Sequence, residues 1–216
     1  MDPFRLCLAL GPVAVYVLLL GAINLSRRPF LVSGGRDAAA LGLALSGLVI
    51  VGPIELFLPP SIAVRMGLYG WVVMAGFYTT CLLAALLWLR PRLVIYNISF
   101  DELRPVLAEL VPQLDPQARW AGDSLALPSL KIQLHVEDLK WMRNISLVAM
   151  GPGQEQAGWR HLERRLAAAL SRLEVGPNPR GITLASMGVF ILGLLGWQIA
   201  RNPETAVQAL FKMFRL

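Results

Sequence analysis

Four apolar runs partition the chain. Residues 6–25, 38–58, 67–89 and 182–200 are each nearly free of charge. Each is about long enough to cross a hydrocarbon layer of roughly 30 Å at about 1.5 Å per residue, so they predict four transmembrane helices. Between the third and fourth runs the texture changes. From 90 to 179 charges return, apolar residues become periodic and turn residues appear, which predicts a water-facing domain strung between two spans.

Inside that domain residues 93–97 form a short β-branched and aromatic run. Ser99 and Glu102 follow at capping-box spacing, and Leu103, Leu107, Leu110, Val111 and Leu114 recur at helical intervals. Pro112 and Pro116 are expected to end this helix. Short strands are expected at 118–121 and 124–127, joined around Gly122 and Asp123. Leu130, Ile132, Leu134 and Val136 alternate with Lys131, Gln133, His135 and Glu137, the pattern of a strand with one buried and one wet face. Another strand is expected at 145–150. After a Gly-Pro-Gly turn at 151–153, a second helix places Trp159, Leu162, Leu166, Ala169, Leu170 and Leu173 in one apolar sector. Strand, helix, several antiparallel strands and helix make a small α+β sandwich, with a ferredoxin-like arrangement as the expected topology.

The domain plan is then a three-helix transmembrane region over 1–90, the α+β domain over 91–179, the fourth span over 180–201, and an amphipathic interfacial helix over 202–216. In that last segment Asn202 caps, Pro203 opens the helix, and Val207, Leu210, Phe211 and Phe214 share an apolar face that serves as an interfacial anchor.

Composition agrees with a membrane protein. Of 216 residues 56% are hydrophobic and only 16% charged, and the mean hydropathy is +0.56, far from a soluble globule of this size. The net charge of +6 does not call for nucleic acid, because much of it lies at span ends, at Arg27, Arg28, Arg36, Arg90, Arg92 and Arg180. Arginine placed there orients helices. The segment 26–37 and the flanks of the large domain fall on one side of any four-span path. The opposite side has Arg5, Arg65 and Arg201 near the spans, so the positive-inside rule puts 91–179 in the cytoplasm and both termini outside. Arginine in excess of lysine, with abundant Ala, Leu and Gly, fits a GC-rich bacterial genome and hence an inner membrane. The first run is too long for a signal-peptide core and is stopped by Arg27 and Arg28, which predicts a retained helix.

Candidate chemistry is sparse. Cys7 and Cys81, both inside predicted spans, offer neither a disulfide framework nor a thiolate cluster. Asp101, Glu102 and Asp115 read as helix-terminal charges without ligand spacing, so no metal and no cofactor is expected. His135 and His161 fall on exposed-looking faces, and Ser46 has no histidine at membrane depth, so no catalytic residue is assigned. The segment 32–37 contains Ser33, Gly34 and Gly35 but lacks a phosphate-loop pattern, and reads as a flexible turn. Asn97 and Asn144 start glycosylation sequons that a cytoplasmic domain would keep from the transferase. Glu55 is the one acid within an apolar run; about 25 Å along its helix it approaches the far interface, and it is a candidate ion or proton site. Ala38, Gly42 and Ser46 recur every four residues, and Gly188, Gly193 and Gly196 thin the last span, as helix packing requires.

One surface has a one-sided charge. Arg160, His161, Arg164, Arg165 and Arg172 lie opposite the apolar sector of the second domain helix, with Glu163 and Glu174 at the margin. Anionic lipid headgroups, or a partner protein, fit such a face. The expected function is a non-enzymatic integral membrane accessory or scaffold subunit, embedded in the lipid bilayer and docking other membrane subunits or forming a homo-oligomer through its cytoplasmic domain. The alternative is a small oligomeric transporter or channel with Glu55 near the outer end of its pathway.

Overall fold

The computed structural model describes residues 3–57, 60–201 and 203–204, with side chains described for 4–52, 69–201 and 203–204. Among the described residues four helices are long and apolar enough to cross a membrane: α1 (Pro3–Leu25), α2 (Gly34–Phe57), α3 (Pro60–Trp88) and α6 (Arg180–Arg201). The chain divides into two compact units, one of Met1–Leu20, Ala38–Trp88 and Thr183–Leu216, the other of Gly21–Asp37 and Leu89–Ile182.

In the first unit small residues let backbones approach. A side chain added to Gly47 would land on the Leu8 carbonyl of α1, and one on Gly188 would meet Ala14 and Leu18. Gly42 lies against Leu82 of α3, and its carbonyl accepts a hydrogen bond from Tyr78 at 2.5 Å. The small-residue ridge expected along α2 is thus partly spent on packing within the chain, whereas Gly193 and Gly196 face open space.

The second unit is a six-stranded sheet with two helices on one face. Its strands are β1 (Phe30–Ser33), β2 (Arg92–Tyr96), β3 (Arg119–Ala121), β4 (Ser124–Leu127), β5 (Ile132–Leu139) and β6 (Asn144–Ala149), in the order β1-β2-β6-β5-β4-β3. Every neighbouring pair is antiparallel. A ferredoxin-like domain runs β-α-β-β-α-β, with a strand after each helix. Here one helix, α4 (Phe100–Leu114), follows β2, a four-strand meander comes next, and α5 (Gln156–Leu170) leads to α6 with no strand between them. The mixed helix-and-sheet class stands, while no strand follows α5 to complete a ferredoxin-like order.

The core follows the alternation in the sequence. Ile132, Leu134 and Val136 of β5, Leu93 and Ile95 of β2, and Ile145 and Leu147 of β6 face Leu103, Leu107 and Leu110 of α4 and Trp159, Leu162 and Leu166 of α5. A short 3₁₀ turn, Pro128–Leu130, precedes β5, and Lys131 adopts a left-handed conformation to enter it. Pro112 lies inside α4 and does not end it. It is exposed, so the Ala108 carbonyl it leaves unpaired can meet water. The helix ends instead at Asp115, whose carboxylate accepts from the Ser129 N–H and hydroxyl, both at 2.8 Å.

The largest departure from expectation is β1. Residues 30–33, expected to belong to a polar connection between two spans, pair with β2 as an edge strand, and Gly34–Asp37 open α2 in place of a flexible turn. Leu31 packs against the domain core.

Candidate functional site

Helix α5 owes its placement to Gly158 and Trp159. A Cβ on Gly158 would collide with the Leu130 carbonyl, so only glycine lets the helix lie this close to the 3₁₀ turn. Trp159 is buried, and its indole N–H donates to Gln154 Oε1 at 3.1 Å. With that face fixed inward, Arg160, His161, Arg164 and Arg165 are exposed, and Arg172 is exposed two residues past the helix end.

The structure divides these residues between two grooves. Arg160 and Arg164 line a hollow of about 610 Å³ with Ala157, Glu163, Ala167 and Arg36. Arg36 stands in the first turn of α2. The Arg164 Nε donates to the Arg160 carbonyl at 3.3 Å, which lays its guanidinium along the helix. Glu163 approaches Arg36 at 3.9 Å, but the Arg36 side chain is 79% exposed, so this pair contributes at most about 1 kcal/mol. Three guanidiniums against one carboxylate leave the hollow cationic. Arg165 and Arg172 line a second groove of about 360 Å³ between α4 and α5, facing Glu109. His161 lines neither groove.

Arg36 is the residue that sequence reasoning placed only as a helix-orienting charge. The run Phe30-Leu31-Val32 between Pro29 and Gly34 carried the signal, since a strand there turns the start of α2 toward the sheet. Asp37 fixes that turn: Tyr96 Oη donates to Asp37 Oδ1 at 2.6 Å, and Arg92 Nη2 reaches Oδ2 at 3.5 Å.

Other titratable groups hold the fold. Burial pushes the Glu102 carboxyl up, but the Ser99 N–H and hydroxyl and the Arg143 guanidinium, all at 2.8–2.9 Å, outweigh it and hold the group below the usual carboxylate range. Asp115 is likewise held low, burial being outweighed by donors from Ser129 and Gln117. His135 is half-buried, not simply exposed: its Nδ1 lies 3.1 Å from Ser124 Oγ on the neighbouring strand. A serine nucleophile would also need that imidazole oriented by a third group. Among the described residues no carboxylate bonds to His135, so the pair reads as a cross-strand link.

The sequon residue Asn97 is fully buried at a φ of 60°, with its amide donating to the Ser26 carbonyl at 2.6 Å. Among the described residues no group of three or more His, Cys, Asp or Glu is placed to hold a metal. Glu55 belongs to the backbone of α2, but its side chain lies outside the described residues, as do Val207, Leu210, Phe211 and Phe214.

Compared with protein-family models, curated protein sequences and solved structures, the chain matches none.

Proposed function

We propose that this chain is a non-enzymatic accessory subunit of a membrane, crossing the bilayer four times and using its α+β domain to dock at anionic headgroups. The observation that carries this reading is the Arg36, Arg160 and Arg164 hollow. Two segments far apart in sequence converge on it, and one of them is the first turn of a helix whose apolar stretch covers Gly34–Gly52. An arginine there lies where a span meets headgroup phosphates, and basic side chains near an anionic surface contribute about 1 kcal/mol each. The arginines at the span ends support a cytoplasmic domain by the positive-inside rule. Planar guanidiniums suit phosphate oxygens better than ammonium groups do.

The test uses the full chain in a neutral detergent, titrated with phosphatidylglycerol or phosphatidylcholine and weighed by native mass spectrometry. The parent is expected to retain phosphatidylglycerol in preference, and more weakly as salt rises. Replacing Arg36, Arg160 and Arg164 together by Gln should lower that preference about tenfold or more without changing the melting temperature. Equal retention of the two lipids by the parent, or an unchanged preference in the variant, would overturn the headgroup reading. Capture of an acidic protein at low salt, lost in the same variant, would reassign the face to a protein partner.

A further inference from the structure

The turn between β5 and β6 combines an exposed aromatic surface with a buried polar anchor. Leu139 is 47% and Trp141 60% exposed, with exposed Lys140 between them, and neither apolar residue belongs to the domain core. The turn is closed by the Met142 N–H donating to the Leu139 carbonyl at 2.9 Å, and Arg143, at a φ of 53°, leads into β6.

That anchor is Asn178. That residue is buried, and its amide donates both to the Met142 carbonyl at 3.0 Å and to Asn24 Oδ1 at 3.1 Å, while its backbone N–H donates to the Asn24 carbonyl at 2.8 Å. Arg143 Nη1 adds a bond to the Gly176 carbonyl at 3.2 Å. Asn24 lies in the last turn of α1, whose apolar stretch runs Phe4–Leu25, and Asn178 stands two residues before the stretch Arg180–Arg201 of α6. The turn is therefore bonded to the two points where those stretches end.

We propose that Leu139, Lys140 and Trp141 seat in the headgroup layer of the bilayer that α1 and α6 cross, a second, non-helical attachment of the domain to lipid. Indole suits that layer because its body is apolar and its N–H wet, and a lysine beside it can lay its stem among acyl chains with the ammonium at the phosphates. The inference rests on the membrane-spanning part of the proposed function and is independent of the arginine hollow.

Nitroxide depth measurement tests it on the full chain in phosphatidylcholine bilayers, with Cys7 and Cys81 replaced by Ala. Single cysteines at Trp141, Leu139, Asp123 and Phe190 are spin-labelled, and relaxation by oxygen is compared with relaxation by a water-soluble nickel chelate. Labels at 141 and 139 are expected to show several-fold less nickel access than the one at exposed Asp123, with oxygen access retained, and to lie shallower than the one at Phe190 in α6. Nickel access at 141 and 139 equal to that at 123 would overturn the proposal. Loss of both oxygen and nickel access would overturn it in favour of a protein contact. A label at 190 open to nickel would instead remove the membrane reading, and the proposal with it. The arginine variant should leave all four depths unchanged.

Discussion

Glu102 shows how one side chain serves several elements of this domain. Its carboxylate reaches back to the N–H of Ser99 at the start of α4 and also pairs with Arg143 at the start of β6, at 2.9 Å. Held below its ordinary range when folded, the group contributes stability that is present above its unfolded pKa and is lost as pH falls through the folded value. Asp115 acts in the same direction. The melting temperature of the full chain is therefore expected to fall on acidification below about pH 4.5, near the unfolded carboxyl values. In Glu102→Gln that fall should be shallower, with a loss of about 1 kcal/mol at neutral pH, kept small because a third of the side chain faces water. A Glu102→Gln variant with an unaltered pH profile would show the carboxylate to be idle. The sequence displayed Ser99 and Glu102 at capping distance but not Arg143, since nothing local marks a partner 41 residues away. The buried asparagines Asn24, Asn97 and Asn178 were equally illegible, because an asparagine's burial depends on which carbonyls it meets.

Among elements, those with a strong period were legible and the shortest was not. The helices α4 and α5 and the alternating part of β5 follow directly from apolar spacing, because a face must bury to fold. Strand β1 has four residues, too few for alternation to stand out between two arginines and two glycines. Its existence depends on β2 offering an open edge, and its register, with Val32 opposite Val94, is set by that partner. In hydrogen-exchange experiments on the full chain, the amides of Phe30–Ser33 that bond to β2 are expected to exchange much more slowly than those of Arg27 and Arg28. Equal exchange across 27–33 would mean that the strand does not form. An excised segment 92–176 would lack this strand and leave the β2 edge unpaired, so it is a poorer test object than the whole protein.

At the scale of the molecule, the β1–β2 pairing joins the connection between α1 and α2 to the domain that follows α3, so both belong to one side of any membrane these helices cross. Cysteines introduced singly at Arg28 and Asp123, in the protein lacking Cys7 and Cys81, are expected to react together with an impermeant thiol reagent. Both should be silent in sealed cells and reactive in inverted vesicles, in keeping with the proposed cytoplasmic domain. A reagent reaching 28 but not 123 in sealed cells would contradict the pairing, and reaction of both there would reverse the orientation.

The apolar runs determined by themselves that four helices are long and apolar enough to cross a membrane, because about twenty apolar residues satisfy their backbone inside the segment and span the hydrocarbon layer. Periodicity likewise determined where most of the domain's strands and helices lie. Only the tertiary structure decided which edges meet. It set the strand order of the sheet, drew residues 30–33 into it, set Arg36 beside Arg160 and Arg164, and tied the Trp141 turn through Asn178 to Asn24. Each of these is a contact between segments distant in sequence. Local spacing records which face a segment buries, whereas the partner it is buried against is chosen by the packing of the whole chain.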